Sequence, residues 1–406
     1  MTMQPADHFS DDNTRFMPPA DLFSADDIRF MQRALELAAR GLYTTTPNPR
    51  VGCVIVRNGA VIAEGWHERA GGLHAEAHAL AQASANGIDV RGATVYVTLE
   101  PCSHHGRTPP CADALVTAGV AEVVVACGDS NPLVAGQGLA RLQAAGIRTR
   151  SGLMEAQARE LNIGFFSRMQ RDLPWVRMKA AISLDGFVAL PSGESQWITS
   201  EAARADGHHW RARACAILTG IGTVKADNPQ LTVRGVDTPR QPMRVIVDSK
   251  LEIDLTARVL DGWTLIAHAV PGLEPRSPGI DIRHAPTALQ LKADALRERG
   301  VELLYVPQAE TVAPARTKVD LPALMRLLAS RGMNEIHVEA GGKLNGSLIR
   351  EDCVDELLLY QAPRLLGQGQ PFAALPAASG LDATWNWKRH SIETLGEDVR
   401  MLLRRE

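Results

Sequence analysis

The chain has no long run of apolar residues. None of its apolar stretches approaches the roughly 18 residues that a membrane-spanning helix requires. The N-terminus also lacks the basic segment followed by an apolar segment that is typical of a secretory signal. These absences argue against a membrane or secreted protein and predict a cytoplasmic location.

Cysteine is also scarce, with six residues in a chain of 406. So few cysteines in so long a chain exclude a disulfide framework, which is typical of short, cysteine-rich secreted domains. Cys53, Cys127, Cys215 and Cys353 stand singly in apolar or mixed surroundings, so we expect them to be reduced core residues. The remaining two cysteines belong to a motif described below.

The sequence has no excess of positive charge, and its formal net charge is -3 at pH 7. Nucleic-acid-binding domains normally carry a basic face or stripe, so this balance argues against such a partner. A small anionic ligand remains compatible, because a few local arginines or lysines suffice to bind it. With 406 residues, 45% of them hydrophobic, the chain has material for two globular domains.

A group of metal-ligating residue types stands in the first half. His74 is followed by Ala75 and Glu76, and Cys102 and Cys111 come downstream, each preceded by a proline. One imidazole and two thiolates would leave the fourth tetrahedral position of a zinc ion open, as catalytic zinc requires. The adjacent glutamate is free to carry protons, which is the pattern of zinc deaminases. In the alternative, a structural zinc, His104 or His105 would be the fourth ligand.

The usual Pro-Cys-x-x-Cys half of the deaminase signature is missing. Eight residues separate Cys102 from Cys111, and this insert is rich in histidine, arginine, glycine and proline. Taken alone, the longer insert either breaks the zinc site or marks a particular subfamily.

Helix and strand patterns alternate from residue 27 to about residue 150. We predict helices at 27–40, from 74 onward, at 111–118 and at 138–145, and strands at 51–56, 61–66, 94–99 and 122–126. Such alternation indicates an α/β sandwich with a largely covered sheet. Both cysteines of the motif and His74 then lie near helix starts, where positive potential favours thiolates.

The second half is another α/β unit, reached through a connector with one helix-like stretch at 154–166. Strands are predicted at 176–182, 216–219, 244–247, 265–269, 303–306, 336–339 and 357–360, and helices after residue 200 and at 321–330. No Gly-x-Gly-x-x-Gly follows an early strand, so a Rossmann fingerprint is absent. Residues 339–347 follow a strand and open a helix, which suits either a phosphate cradle or an ordinary turn.

Residues 7–17 recur in similar form at 21–31. The second copy leads into a helix, with Ser24 as the N-cap and Asp27 three residues later. The first copy runs into Pro18-Pro19, which prevents it from continuing as a helix. We therefore predict a mobile N-terminal extension at 1–24, and a role as a regulatory or partner-binding arm stays open.

The first half resembles the deaminase half of the bifunctional riboflavin-biosynthesis deaminase/reductase family. The resemblance rests on Pro-Cys-Ser-His-x-Gly-Arg-Thr-Pro-Pro-Cys at 101–111, Thr-Pro-Asn-Pro-x-Val-Gly-Cys-Val-Ile-Val at 46–56, Gly-Trp-His at 65–67 and Asp-Ser-Asn-Pro at 129–132. It makes the long insert a mark of the subfamily. It implies hydrolytic deamination of 2,5-diamino-6-(5-phosphoribosylamino)pyrimidin-4(3H)-one.

The same resemblance implies roles for individual residues of the first half. His74, Cys102 and Cys111 would bind one zinc ion, and Glu76 would move protons between the activated water, the ring nitrogen and the departing ammonia. The residues matched to substrate binding are Asn48, His67, Arg107 and Asn131. For Asn48 and Asn131, plain turn formation is the alternative, because Asn-Pro initiates turns in any case.

The second half resembles the reductase half of that family, whose fold is like that of dihydrofolate reductase. The match includes Lys-x-x-x-Ser-Leu-Asp-Gly at 179–186, Gln-Trp-Ile-Thr-Ser at 196–200, Gly-Thr at 222–223 and Glu-Ala-Gly-Gly at 339–342. It implies NADPH-dependent reduction of the ribosyl group to ribityl. The residues implied to contact NADPH are Ala181, Trp197, Thr223, Asp227, Ser249, Gly341, Gly342, Lys343, Leu344, Asn345, Gly346 and Ser347.

Five residues of the second half are implied to meet the substrate: Ser195, Arg211, Leu231, Arg234 and Glu339. The two arginines suit its phosphate. Lys179 and Glu339 are the candidates for protonating or polarising the developing alkoxide, with a strand-end ion pair as the alternative. Trp197 could equally be a core aromatic, and no residue is visibly dedicated to the 2′-phosphate that distinguishes NADPH from NADH.

The sequence therefore predicts a two-step enzyme with a deaminase domain at 25–150, a connector at 151–174 and a reductase domain at 175–406. We expect zinc and NADPH as cofactors, a homo-oligomer (dimer or tetramer), and no nucleic-acid or membrane partner. Two alternatives remain: a zinc deaminase of another nucleobase or nucleoside with a reductase-like second domain, or a chain in which one half is degenerate and acts as a scaffold.

Overall fold

The computed structural model describes residues 22–103, 109–131, 135–273, 287–308 and 318–405. The predicted extension up to residue 21 lies outside the described residues, as do Arg107 and the two histidines considered as a fourth zinc ligand.

The first unit is built on a five-stranded sheet with helices on both faces. Its strands are β1 (Gly52–Arg57), β2 (Ala60–Trp66), β3 (Thr94–Val97), β4 (Glu122–Val125) and β5 (Arg148–Ser151), and its helices are α1 (Ala25–Ala39), α2 (Ala75–Ala85), α3 (Cys111–Ala118) and α4 (Gln137–Ala144). The strand order is β2-β1-β3-β4-β5. The strands β3, β4 and β5 run parallel, whereas β1 is antiparallel to both of its neighbours.

Successive side chains of each strand point to opposite faces of the sheet, so the core of this unit has two layers. In β1, Cys53 and Ile55 pack in the cluster beneath α2, α3 and α4, and Val54 and Val56 pack in the cluster beneath α1. Helix α1 lies so close to β1 that a Cβ atom on Gly52 would stand 1.9 Å from the carbonyl oxygen of Ala34. This is the α/β/α sandwich expected from the period-2 pattern of the strands.

The start of α1 confirms the prediction made from its capping residues. The Ser24 side chain accepts a hydrogen bond from the backbone N–H of Asp27, and the Asp27 carboxylate accepts one from the backbone N–H of Ser24. This reciprocal capping box satisfies two backbone donors that the helix itself leaves unpaired.

Strand β5 has no apolar alternation and was not predicted. It is anchored by Arg150, which donates to Asp27 of α1 at 2.9 Å and to Glu122 of β4 at 2.7 Å. Its place at the edge of the sheet is therefore secured by ion pairs as well as by its ladder with β4.

The connector contains two helices, and the prediction of a single helix-like stretch at 154–166 was wrong. Helix α5 (Glu155–Leu161) ends and α6 (Ile163–Arg171) begins around Asn162. The buried Asn162 side chain accepts from the backbone N–H of Arg50 at 2.7 Å and donates to its carbonyl at 2.9 Å. This distant pairing overrides the local helical pattern.

The second unit is built on a nine-stranded sheet of order β11-β10-β9-β8-β12-β6-β13-β16-β15, with a small two-stranded sheet of β7 and β14 beside it. The strands are β6 (Trp175–Ile182), β7 (Phe187–Ala189), β8 (Ala216–Gly220), β9 (Met243–Val247), β10 (Thr264–His268), β11 (Glu302–Tyr305), β12 (Glu335–Val338), β13 (Glu356–Gln361), β14 (Gln370–Pro371), β15 (Trp387–Leu395) and β16 (Asp398–Arg405). The helices are α7 (Glu201–Arg213), α8 (Ile221–Asp227), α9 (Ala288–Glu298), α10 (Leu321–Ser330) and α11 (Gly342–Arg350).

Seven neighbouring strands of this sheet, from β11 to β13, run parallel. Their carboxyl ends therefore lie along one edge, which is where ligands bind in open α/β sheets. The hairpin of β15 and β16, which the sequence did not reveal, adds two antiparallel strands beside β13.

The predicted fold class, a deaminase-like sandwich joined to a second α/β unit, is confirmed by these two sheets. The four isolated cysteines are free and buried, as expected. Within the described ranges, no helix combines the length and the apolar character that crossing a membrane would require.

Candidate active sites

The structure brings together the three predicted metal ligands of the first unit. His74 is the N-cap of α2, Cys111 is the first residue of α3, and Cys102 follows the end of β3. Their donor atoms all lie within 4.8 Å of one another. The Nδ1 atom of His74 is 3.5 Å from Sγ of Cys102 and 3.4 Å from Sγ of Cys111.

The electrostatics of this cluster suit a dication. Hydrogen bonds from Cys111 and His74 lower the pKa of the Cys102 thiol to about 4. The hydrogen bond that the Cys111 thiol makes to the Cys102 thiolate, followed by burial and by the charges of Glu76 and Cys102, raises the pKa of Cys111 far above its ordinary value, since two adjacent thiolates would repel each other. A bound Zn²⁺ would remove that repulsion and hold both as thiolates. Among the described residues the cluster offers three ligands, which is the number that a catalytic zinc site uses.

Glu76 lies in the first turn of α2 and is only 3% exposed. Burial, followed by the negative charge at Cys102, raises the pKa of its carboxyl group to about 7. A carboxyl group with this pKa can both accept and release a proton at neutral pH, as a general acid–base catalyst must.

Asn48 and His67 form one hydrogen-bonded unit beside the ligands. His67 is buried, and its Nδ1 atom donates to the carbonyl oxygen of Leu73 at 2.8 Å, since a carbonyl can only accept. Burial lowers the pKa of this imidazole, so the ring is neutral and its Nε2 atom accepts from the Asn48 amide at 3.0 Å. The ring stands edge-on to that of His74, with centroids 5.6 Å apart.

Asn131 is another residue of this site that was predicted to contact the substrate. The backbone N–H of Asn131 donates to the carboxylate of Asp129 at 2.8 Å in the loop after β4. Arg107 lies outside the described residues. The structure adds Glu100, which the sequence did not single out.

The buried Glu100 carboxylate organises the loop that carries Asn131. It accepts from the backbone N–H groups of Asp129 at 3.2 Å, Gly136 at 3.0 Å and Gly138 at 2.9 Å. Glu100 directly precedes Pro101 and Cys102, so its carboxylate links the segment after β3 that carries Cys102 to the loop after β4 that carries Asn131. An acidic residue at a strand end was its only signal in the sequence.

The second site is a cleft of about 1470 Å³ at the carboxyl edge of the nine-stranded sheet. Every predicted reductase residue except Gly346 lines it. Gly346 instead packs α11 against the chain, because a Cβ atom there would stand 2.2 Å from the carbonyl oxygen of Ala374. Trp197 is 61% exposed, with the Arg204 guanidinium 4.4 Å from its ring, so the alternative of a core aromatic is wrong.

Lys179, Arg211 and Glu339 form a charged group in this cleft. The Arg211 guanidinium binds both carboxylate oxygens of Glu339, one of them at 2.7 Å. Although burial acts in the opposite direction, Arg211 holds the pKa of Glu339 well below its usual range. For Lys179, burial lowers the pKa below that of an ordinary lysine, and Arg211 contributes in the same direction.

Two further cleft residues, Arg204 and His208, lie on α7 and have no role assigned from the sequence. The backbone N–H of Arg234 donates to Nδ1 of His208 at 3.1 Å, which joins α7 to the loop after α8. Burial and the neighbouring arginines lower the pKa of His208 to about 4. Its imidazole is therefore neutral at pH 7, and its Nε2–H remains a hydrogen-bond donor.

The other end of the cleft combines a helix start with lysines. Gly341 is the N-cap of α11, and its backbone N–H donates to the Thr223 hydroxyl at 3.1 Å. The Ser249 hydroxyl accepts from the backbone N–H of Val319 at 3.1 Å. Lys250 follows Ser249 in the chain, and Lys318 precedes Val319. Both lysines line the cleft.

Comparison with known families identifies both units. The family model of the cytidine and deoxycytidylate deaminase zinc-binding region matches residues 24–127, and that of the RibD C-terminal domain matches residues 174–401. Riboflavin biosynthesis protein RibD of Escherichia coli (strain K12) is 44% identical over 382 residues, covering 90% of this chain and 96% of that protein. The Haemophilus influenzae protein of the same name is 43% identical, covering 91% and 95%.

Solved structures agree with these matches. A structure of Acinetobacter baumannii RibD (form 1) has a TM-score of 0.79 at 41% identity and covers 93% of this chain and 98% of its own. A diaminohydroxyphosphoribosylaminopyrimidine deaminase/5-amino-6-(5-phosphoribosylamino)uracil reductase from Thermotoga maritima has a TM-score of 0.79 at 31% identity, covering 94% and 99%. The chain therefore belongs to the RibD family of riboflavin-biosynthesis proteins, which combine a deaminase with a reductase.

Proposed function

We propose that this chain catalyses two consecutive reactions of riboflavin biosynthesis. The first unit hydrolyses the 2-amino group of 2,5-diamino-6-(5-phosphoribosylamino)pyrimidin-4(3H)-one, and the second reduces the ribosyl group of the product to ribityl with NADPH. The observation that carries this proposal is the convergence of His74, Cys102 and Cys111 on one point beside the buried Glu76. The relative from Thermotoga maritima, whose name states both activities, supports the assignment.

In the deamination, His74, Cys102 and Cys111 would hold the zinc ion. Zinc, when bound, supplies a Lewis acid that makes water acidic enough to give hydroxide near neutral pH. Glu76 takes one proton from the attacking water and passes it to the ring nitrogen. It then carries the second proton, from the new hydroxyl group on C2, to the amino group that departs as ammonia. Its raised pKa, about 7, suits both transfers.

Substrate orientation in this site is assigned to the Asn48–His67 pair, with Asn131 and Arg107 as further contacts. One N–H of the Asn48 Nδ2 group is used by His67, and we assign its Oδ1 atom to a ligand as an acceptor. An acceptor of this kind suits the N–H groups of a diaminopyrimidine.

In the reduction, the nicotinamide supplies the hydride. Hydride adds to C1 of the ribosyl group as the bond from C1 to the ring oxygen breaks. Lys179 donates the proton to that departing oxygen, which becomes a free hydroxyl of the ribityl chain. Glu339 remains a carboxylate, since Arg211 stabilises its ionised form, and it orients Lys179 and the substrate. Arg234, Arg204 and the neutral His208 offer donors for the substrate phosphate, because much of the Arg211 guanidinium is already bound to Glu339 and to the Thr232 carbonyl.

We assign the preference for NADPH over NADH to Lys250 and Lys318, which flank the Ser249 end of the cleft. Replacing both lysines by alanine should raise the KM for NADPH about 10²-fold or more, because each charge-assisted hydrogen bond to a phosphate contributes about 1.5–3 kcal/mol and about 1.4 kcal/mol corresponds to a factor of ten. The KM for NADH, which has no 2′-phosphate, should stay within about twofold. Steady-state kinetics with both cofactors measure the ratio.

The matched control for this test is Lys225→Ala. Lys225 pairs with Glu252 on the surface and does not line the cleft. Equal increases in the KM values of both cofactors in the double variant would contradict the assignment to the 2′-phosphate.

The order of the two reactions provides the test of the proposed function. Zinc-loaded protein should release ammonia from the diaminopyrimidine without NADPH, and it should oxidise NADPH only after that release. Protein treated with a chelator should release no ammonia and still reduce substrate that is already deaminated. Failure of the zinc-loaded protein to release ammonia would contradict the proposal. NADPH oxidation before ammonia release would show that reduction precedes deamination.

Three further properties of the chain stay predictions. They are the domain limits at 25–150, 151–174 and 175–406, a homo-oligomeric state and a cytoplasmic location. The acidic net charge supports the absence of a nucleic-acid partner.

A further inference from the structure

The segment that carries Asn48 is held in place by the reductase unit. Several hydrogen bonds join residues 43–50 to the second unit. One runs from Nε of Arg240 to the Tyr43 carbonyl oxygen at 2.6 Å, and four others involve Tyr43, Thr46, Pro47 and Arg50. These four bonds are Tyr43 Oη to His209 Nδ1 at 2.9 Å, Thr46 Oγ1 to Cys215 Sγ at 2.9 Å, Pro47 O to Asn334 Nδ2 at 2.9 Å, and Arg50 Nη1 to Glu335 Oε1 at 2.8 Å. The loop of one active site therefore depends on the domain that contains the other.

Asn334 makes the contact nearest to Asn48. It is 6% exposed and stands immediately before β12. Its Nδ2 group donates to the Pro47 carbonyl, and its Oδ1 atom accepts from Nε of Arg168 at 2.6 Å. The Arg168 bond fixes which way the amide is turned, since a guanidinium can only donate.

The Pro47 carbonyl and the Asn48 N–H belong to one planar peptide group. Asn334 holds the oxygen of that group, and the carbonyl of Thr45 holds its N–H at 2.8 Å. With both ends bonded, the peptide plane has one orientation. That orientation sets the direction in which the Asn48 side chain leaves the backbone toward His67.

We infer that Asn334, a residue of the reductase unit, is a positioning residue for the deamination. It acts through the Pro47–Asn48 peptide group, and so it aligns the Asn48 amide that faces the pyrimidine. The inference rests on the proposed function, because it needs Asn48 to contact the deaminase substrate.

Glu335 is less suited to test this dependence, although it also contacts the segment. Its carboxylate is 1% exposed and is shared by Arg50, Arg177 and Arg213. Its removal would leave several buried cations without a partner and would destabilise the whole chain. Asn334 is neutral, and its replacement changes fewer interactions.

The variant Asn334→Asp removes the donor to Pro47 and keeps the acceptor for Arg168 with nearly the same shape. In the full-length, zinc-loaded protein, the KM for deamination should rise about tenfold, because the Pro47 carbonyl loses its shorter bond, keeps only the one from Arg168 Nη2 at 3.5 Å, and faces a carboxylate oxygen. The kcat of deamination should stay within about twofold, since Glu76 and the metal ligands are untouched. Reduction of deaminated substrate should be unchanged, and it reports that the protein is folded.

The control is Glu160→Gln, which weakens the ion pair between Glu160 of α5 and Arg404 of β16 without touching residues 43–50. It should leave the KM for deamination unchanged. A KM that is also unchanged in Asn334→Asp would overturn the inference.

A double-mutant cycle with Asn48→Ala separates positioning from general stability. If Asn334 acts through Asn48, Asn334→Asp should have almost no further effect on deamination once the Asn48 amide is removed. An equal effect in both backgrounds would show that Asn334 has a structural role only. Absence of ammonia release from the unmodified protein would instead contradict the proposed function, and the two failures are therefore distinguishable.

Discussion

Replacing Glu76 by glutamine should lower the rate of ammonia release about 10³-fold or more, because general acid–base catalysis contributes about 10²–10⁴ and glutamine can neither accept nor release the proton. Glu76 is not one of the three ligands, so the zinc content should remain one per chain. Reduction of substrate that is already deaminated should proceed normally, since Glu76 belongs to the first unit and Lys179 to the second. An ammonia assay, metal analysis and NADPH oxidation measure the three quantities.

A matched control for this variant is Glu64→Gln. Glu64 lies on β2 of the same unit, where it pairs with Arg33 at 2.8 Å at the surface. It should retain full deaminase activity. If Glu76→Gln kept more than about a tenth of the activity, Glu76 would not be the proton carrier. If it lost both activities while folded, the two sites would not be independent.

The zinc cluster was predictable because its geometry follows from local rules. The alternating strands and the helices that follow them place His74 and Cys111 at the N-termini of α2 and α3, and Cys102 follows a strand of the same sheet. Parallel strands bring such ends to one edge. The residue types then define the chemistry, and the raised pKa of Glu76 follows from its burial there.

The residues from distant parts of the chain that hold this site in place could not be predicted in the same way. Asn334 is 287 positions from Pro47, and Asn162 is 112 positions from Arg50. Neither pairing leaves a periodic or spacing signal, because each depends on tertiary packing between segments that are far apart in the sequence. The same reason explains the break between α5 and α6, which a helical pattern alone does not reveal.

The reductase residues show what side-chain geometry adds to a motif. The sequence left Lys179 and Glu339 as equal candidates for proton transfer. In the structure, the bidentate bond from Arg211 keeps Glu339 ionised, so this carboxylate has no proton to give at neutral pH. Burial lowers the pKa of Lys179, which makes its ammonium a better acid than that of an exposed lysine.

Replacing Lys179 by methionine should therefore lower the kcat for reduction about 10²–10³-fold, since the alkoxide would lose its proton donor. Ammonia release should be unaffected. A donor must be protonated to act, so the kcat of the unmodified enzyme should fall as the pH rises through the lowered pKa of Lys179, below the ordinary lysine range. That alkaline decrease should be absent from the methionine variant.

The control is Lys292→Met, because Lys292 donates to the Leu251 carbonyl at 2.9 Å and does not line the cleft. It should retain both the kcat and its alkaline decrease. If the Lys179→Met enzyme kept the same pH profile, a different residue would be the proton donor. Glu339 could be that donor only if its ion pair with Arg211 opened when the substrate binds. The pH profile of kcat thus distinguishes the two residues that the sequence could not.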